Sequence, residues 1–173
     1  MTRPIYETDA NLEDQARIIR PYCKRFGYEA VKTEGLERAD YTLTFQGEAV
    51  AVAEVRRRHI RYFEHSTILL STQKVEALLA EDLPAIFIVG FNNGIGWVRL
   101  TQDHLDTSVM GGRTVTTLDQ GDIEPCCYIP LSNFTGVTAQ DGLIRSDSPY
   151  GDDEIQVGIP LTAADLVVKV SLN

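Results

Sequence analysis

Apolar residues recur at helical spacing near the start of the chain, and in alternation or short runs further on. Five of them lie four and three residues apart, as on one stripe of an amphipathic helix: Leu12, Ala16, Ile19, Cys23 and Phe26. Thr8 or Asp9 is suited to cap the start of this helix, and Gly27 to end it. The pattern therefore predicts a first helix that packs on a core through this stripe.

Strand-like segments follow the helix. Residues 41–45 alternate apolar and polar side chains, whereas residues 49–56 are apolar until two charges close the segment. Further strands are predicted at residues 28–33, 85–89 and 95–100. Ser71 is placed to cap a second helix that carries Val75, Leu78 and Leu79. The order of helix, three strands, helix and two strands predicts an α/β fold, a mixed central sheet flanked by helices.

The character of the chain changes after residue 100. Glycines separate short strand candidates at residues 114–118 and 127–131, and residues 146–154 form a polar stretch typical of a loop. Residues 155–172 regain apolar side chains. We interpret residues 1–100 as the core, and residues 101–173 as a β-rich C-terminal extension of the same domain.

Composition limits the class of protein. A chain of 173 residues with 43% hydrophobic and 24% charged residues suits one globular domain. No run of about 18 apolar residues indicates a membrane span. Cys23, Cys126 and Cys127 lack metal-ligand spacing, which favours buried free thiols in a reducing cytoplasm.

Charge is distributed unevenly within the net charge of −9. Residues 1–62 hold 11 Lys/Arg and 10 Asp/Glu, whereas residues 63–173 hold 5 Lys/Arg and 15 Asp/Glu, a net charge of −10. Nucleic-acid binders normally present basic surfaces, so the acidic part counts against tight general DNA binding. The run Arg56-Arg57-Arg58-His59-Ile60-Arg61 leaves room for a local positive site, either in contact with phosphates or as a charged face in solvent.

Two carboxylates and a cation are predicted to meet at one edge of the sheet. Glu54 and Arg56 are two residues apart in a strand, so they share a face. Asp40 begins the preceding strand, and a hairpin would bring the two strand ends together. Two close carboxylates need a cation to stay ionised, and oxygen ligands with open water positions suit Mg²⁺. A solvated ion pair of Glu54 with Arg56 is the structural alternative.

These residues resemble the PD-(D/E)XK nuclease superfamily, whose restriction-endonuclease-like core pairs an Asp on one strand with Glu-x-Lys on the next. Asp40 matches the first acid, Glu54-Val55-Arg56 matches Glu-x-Lys, and Glu13 matches an acid that often stands on the first helix. Gln73 or Lys74 fits a polar or basic position on the following helix. The resemblance covers the order of elements across residues 9–100.

Two positions depart from the family pattern. Ala39 replaces the Pro before the Asp, which is a common variation. Arg56 replaces the Lys; arginine stays protonated and is no general base, although it still stabilises phosphate charge. Lys74 is the residue that we expect to take over the lysine's part.

The resemblance implies a metal-dependent nuclease that hydrolyses phosphodiester bonds of nucleic acid, DNA above all. The compact size and the composition of the chain suit a phage or bacterial protein. The resemblance also implies Mg²⁺ or Mn²⁺ as the cofactor, at Glu13, Asp40, Glu54 and Val55, with Asp40, Glu54, Arg56 and Lys74 as catalytic residues. Two alternatives stay open: an inactive nuclease-fold protein kept for binding or assembly, and an acidic DNA-mimicking inhibitor. A homo-oligomer, or a protein partner of the acidic C-terminal region, is compatible with each of these functions.

Overall fold

A computed structural model describes residues 9–34, 39–62, 64–112 and 123–137. Its helices in these ranges are α1 (Asp9–Phe26), α2 (Thr72–Leu79) and α3 (Gln102–Leu105). Its strands in the same ranges are β1 (Glu29–Lys32), β2 (Tyr41–Phe45), β3 (Glu48–Arg57), β4 (Thr67–Ser71), β5 (Ala85–Phe91), β6 (Gly94–Arg99), β7 (Val109–Gly112), β8 (Ile123–Pro130) and β9 (Thr135–Gly136). The predicted helices and the strands up to residue 100 all occur, with small shifts of their ends.

A six-stranded sheet in the order β1-β2-β3-β5-β6-β9 forms the centre of the fold. All its neighbouring strands are antiparallel except β3 and β5, which run parallel. The predicted mixed α/β architecture is therefore confirmed. From Val50 to Val55, β3 is buried on both faces, as its apolar sequence indicates.

Helix α1 covers one face of this sheet. Ile19, Cys23 and Phe26 of the predicted stripe are buried, but Leu12 and Ala16 are only half-buried. Ile18 and Tyr22, which the predicted stripe left out, are fully buried against β3, β5 and β6. The buried stripe is thus turned slightly around the helix, because it follows the packing surface of the sheet.

The opposite face of the central sheet packs on α2 and on a second sheet, of three strands in the order β4-β8-β7. The predicted order of elements was wrong at this point, because it omitted strand β4. Ile68 and Leu70 of β4 are buried and alternate with half-buried neighbours, so the segment carries a strand pattern. Its partner β8 lies about 60 residues away in the chain, and no local signal reveals such a pairing.

The strands after residue 100 in the described ranges belong to both sheets. The predicted strand at residues 127–131 overlaps β8, but Leu131 begins a short 3-10 turn, Leu131–Asn133. Strand β9 extends the six-stranded sheet beside β6. The predicted strand at 114–118, the loop at 146–154 and the apolar stretch at 155–172 lie outside the described residues.

Two expectations from composition concern the described residues. Cys23, Cys126 and Cys127 are buried and free, as predicted. No helix within the described ranges is long and apolar enough to cross a membrane.

Candidate active site

The β2–β3 hairpin places Asp40 beside Glu54. Its turn puts Gln46 at φ 51° and Gly47 at φ 82°, a left-handed pair that suits a tight hairpin. At the other end Tyr41 is paired with Ala53, so the next antiparallel positions along the ladder are Asp40 and Glu54. The predicted meeting of the two strand ends is therefore observed in the backbone.

Hydrogen bonds to both neighbouring strands fix Asp40. Its Oδ2 accepts a hydrogen bond from the backbone N–H of Val55 at 2.8 Å, and its carbonyl oxygen accepts one from the Thr33 N–H at 2.9 Å. Its Oδ1 lies 3.8 Å from the Lys32 Nζ, which is too long for a hydrogen bond but within reach of a charge interaction. The Asp40 side chain is about one-tenth exposed, so it remains accessible from solvent.

Glu54 is fully buried yet carries a carboxylate. Arg56 Nη2 forms an ion pair with its Oε1, and Lys74 Nζ lies 3.0 Å from its Oε2. Burial, together with the charge of Asp40, raises the Glu54 pKa to about 7, although Arg56 and Lys74 lower it. The two carboxylates are thus close enough to interact, and the cations offset part of the cost of burying Glu54.

Lys74 reaches this site from the first turn of α2. The Ser71 Oγ caps the helix by accepting a hydrogen bond from the Lys74 N–H at 3.4 Å. The Lys74 side chain is mostly buried, whereas Gln73 beside it is exposed. Of the two predicted candidates on this helix, Lys74 is the one that contacts Glu54.

The oxygen atoms of this site fit a hard divalent cation that keeps several of its waters. In the described part of the chain, no group of three or more His, Cys, Asp and Glu side chains could hold a metal ion. Mg²⁺, however, is often bound through one or two carboxylates together with water and substrate phosphate. Asp40 Oδ1 and Glu54 supply two such carboxylates; Asp40 is partly exposed, whereas the oxygens of the buried Glu54 contact Arg56 and Lys74. The Val55 N–H donates to Asp40 Oδ2, and in an antiparallel strand the carbonyl of a residue faces the same neighbouring strand as its N–H.

Glu13 and two arginines of the basic run make no contact with Glu54 or Asp40 among the contacts described above. Glu13 is exposed on α1, whereas Gln15 on the same helix is buried and accepts a hydrogen bond from Lys32 Nζ at 2.9 Å. Arg57 donates to the carbonyl oxygens of Arg58 and Gly90, and Arg58 to that of Leu69. These two arginines therefore hold the protein's own backbone, and neither is simply a charged face in solvent.

The pair Lys32 and Gln15 was missed by the sequence analysis. Lys32 ends an exposed edge strand, and Gln15 is polar within the packing face of α1. The burial of Gln15 shows only in the structure; there, a polar side chain in a packing face needs a hydrogen-bonding partner, which Lys32 provides.

An open hollow of about 540 Å³ lies away from the two carboxylates. Trp97, Arg99, His104 and Asn133 are among the residues that line it. The His104 ring belongs to the local structure, since its Nδ1 accepts a hydrogen bond from the Thr101 N–H and its Nε2 contacts Asn133. The hollow shares no lining residue with the site at Asp40 and Glu54.

A mixed sheet with two acidic residues where β2 begins and β3 ends is the arrangement expected of a PD-(D/E)XK nuclease. The family described as "Phage putative PDDEXK endonuclease" matches residues 1–137. The match covers more than half of the chain, and the chain belongs to this family. This match confirms two predictions: that the chain belongs to the PD-(D/E)XK superfamily, and that its protein class is that of the metal-dependent nucleases.

Among solved structures, the chain is similar to Hjc of Archaeoglobus fulgidus, a Holliday junction resolvase from an archaeal hyperthermophile. The two share 15% sequence identity at a TM-score of 0.45, over 76% of this chain and 98% of the Hjc chain. Comparison with curated proteins found no match.

Proposed function

We propose that this protein is a phage endonuclease that uses Mg²⁺ or Mn²⁺ to hydrolyse phosphodiester bonds of DNA in a bacterial cytoplasm. The observation that carries the proposal is the pairing of Asp40 with Glu54 where β2 begins and β3 ends, with Arg56 and Lys74 against Glu54. Family membership supports the reaction class. The ion, the substrate and the roles of the residues are our assignment.

Asp40 and Glu54 are the proposed ion-binding carboxylates, with the Val55 carbonyl as a third oxygen ligand. When bound, the ion lowers the pKa of a water molecule and offsets negative charge on the phosphate. Arg56 is about one-third exposed on its side chain, so it can turn toward a phosphate while it remains near Glu54. Lys74 provides a second positive charge from the α2 side. Glu13 stays a predicted contributor through bound water, because it is exposed on α1.

A cleavage assay on duplex, branched and single-stranded DNA, with Mg²⁺ or Mn²⁺, tests the proposal. Asp40→Asn keeps the size of the side chain but removes its charge, and we expect a loss of at least about a hundredfold in kcat. Asp103→Asn on exposed α3 is the matched control and should cleave like the wild type. Cleavage that survives in Asp40→Asn would place the activity elsewhere.

The cleavage activity of Arg56 variants distinguishes an active enzyme from an inactive binding protein. In an active site Arg56→Lys restores the family's usual residue and should keep or increase cleavage, whereas Arg56→Ala should lose about a hundredfold. Arg20→Ala, on the exposed side of α1, controls for loss of a positive charge. Both Glu54 oxygens already contact protein cations, which an inactive binding module would also tolerate. A wild type that cleaves no more than Asp40→Asn would favour that second function.

A further inference from the structure

Lys32 is a cation close to Asp40 that lies outside the Glu54-Val55-Arg56 motif. It is the last residue of β1 and pairs with Tyr41, the neighbour of Asp40. Its Nζ donates a hydrogen bond to Gln15 Oε1 at 2.9 Å and lies 3.8 Å from Asp40 Oδ1. The same ammonium stands 5.0 Å from the centre of the Tyr41 ring, in cation–π range. Several contacts together therefore fix where this charge lies.

The cations that lie beside the two carboxylates are held from opposite faces of the sheet. Arg56 and Lys74 contact Glu54, and Lys74 comes from α2, which packs on one face. Lys32 is held by Gln15 of α1, which covers the other face. Asp40 thus has a separate cation, and that cation depends on α1.

Gln15 is suited to hold Lys32 without neutralising it. Its side chain is buried, and an amide oxygen accepts a hydrogen bond but carries no net charge. A carboxylate at this position would form an ion pair with Lys32 and compete with Asp40. The amide instead leaves the ammonium charge acting on Asp40 Oδ1, while Oδ2 stays bonded to the Val55 N–H.

We propose that Lys32, fixed by Gln15, is a positioning residue that orients Asp40 for the metal-dependent reaction. The inference rests on the proposed function of Asp40, and it adds α1 and β1 to the parts of the fold that shape the site. Lys32 draws Oδ1 toward the edge of the sheet and holds the carboxylate in one orientation. It also repels a divalent ion from the side of Oδ1 nearest to α1.

Removal of this charge should separate metal binding from turnover. In Lys32→Met we expect Mn²⁺ to bind about threefold more tightly, because a repelling charge is gone. We expect kcat at saturating Mn²⁺ to fall by about tenfold or more, because Asp40 loses its orientation. The KM for DNA should stay within about twofold, since Lys32 does not bind the substrate in this role. Lys32→Arg should restore most of kcat, and Gln15→Leu should lower kcat to a smaller extent, because Lys32 remains but loses the contact that fixes it.

The experiment combines Mn²⁺ titration by calorimetry, steady-state cleavage and thermal melting on the full chain. Lys24→Met, which removes an exposed lysine from the last turn of α1, is the matched control. The inference would be overturned if Lys32→Met and Lys24→Met had the same kcat and the same Mn²⁺ affinity. Weaker Mn²⁺ binding together with a lower melting temperature and no rescue by Lys32→Arg would also overturn it, since that result marks a purely structural residue.

Failure of the proposed function gives a different pattern. If the wild type binds Mn²⁺ but does not cleave, the endonuclease activity is refuted and the titration alone decides on Lys32. Tighter Mn²⁺ binding in Lys32→Met then supports the positioning role, and unchanged binding refutes it. A wild type that neither cleaves nor binds Mn²⁺ overturns both proposals.

Discussion

Glu54 is a carboxylate that the fold holds at an energetic cost. Its side chain is fully buried, and its pKa of about 7 indicates that burial outweighs the attraction of Arg56 and Lys74. Replacement of a whole buried ion pair by apolar residues is often neutral or stabilising, whereas loss of one partner alone is destabilising. A residue retained under these conditions fits a functional role better than a stabilising one.

The free energy of unfolding should report this cost through its pH dependence. The folded protein binds the Glu54 proton more tightly than the unfolded chain, whose pKa is near 4.5. Ionisation of Glu54 therefore lowers stability as pH rises from about 4.5 to about 7, and the full penalty applies above that window. The free energy of unfolding of Glu54→Gln, relative to the wild type, should therefore be about 1 to 3 kcal/mol higher at about pH 8 than at about pH 5.

Urea unfolding of wild type and Glu54→Gln at about pH 5 and about pH 8 measures this effect. At the lower pH the ionisation penalty of the wild type should be small, because most of the folded wild type is protonated at Glu54. Glu48→Gln, at the exposed start of β3, is the matched control and should change little at either pH. An equal difference at both pH values would contradict a raised Glu54 pKa.

At the level of elements, the loop after β3 is tied to the β5–β6 turn. Arg57 Nη2 donates a hydrogen bond to Asn92 Oδ1 at 2.8 Å, and the Tyr62 N–H donates one to Asn93 Oδ1 at 2.7 Å. The Tyr62 ring packs edge-on against Phe91, with ring centroids 4.9 Å apart. These contacts fix the chain directly after Arg56, so the end of β3 and the β5–β6 turn hold each other in place.

Gly96 provides a test of this packing. A Cβ at this position would lie 2.5 Å from Tyr62 Cε2, closer than real atoms approach. We expect Gly96→Ala to lower the free energy of unfolding by about 1 to 3 kcal/mol, because the Tyr62 ring must move. In a Tyr62→Leu background most of that cost should disappear, as a double-mutant cycle by urea unfolding would measure. Equal costs in both backgrounds would mean that Tyr62 is not the obstacle.

The sequence predicted those elements that are marked by residues close together in the chain. The β2–β3 hairpin was predictable because a turn sequence separates an alternating segment from an apolar one. Asp40, Glu54 and Arg56 lie next to such elements, so their proximity followed from the order of elements. Lys74 was predicted from the family resemblance, with Gln73 as the other candidate. Strand β4 and the Gln15–Lys32 contact were not predicted, because each depends on a partner distant in the chain. Long-range pairing of this kind leaves little trace in one sequence.

For the whole molecule, the central question is how an acidic chain binds a polyanion. Residues 63–173 carry a net charge of −10, and Arg57 and Arg58 of the basic run bond to the protein's own backbone. Among the proposed site residues of the described chain, Arg56 and Lys74 are the cations assigned to phosphate. Affinity for DNA should therefore arise from few phosphate contacts, together with the metal ion.

The salt dependence of DNA binding tests this conclusion. With two or three phosphate contacts, the logarithm of the association constant should fall with the logarithm of salt concentration with a slope of about −2 to −3. Fluorescence anisotropy with Ca²⁺ in place of Mg²⁺ measures binding without cleavage. Arg56→Met should make the slope shallower by about one unit. Arg20→Met, on the exposed side of α1, should leave the slope unchanged. A slope steeper than about −6 would require a broad basic surface, and an acidic chain could supply one only through cations beyond Arg56 and Lys74.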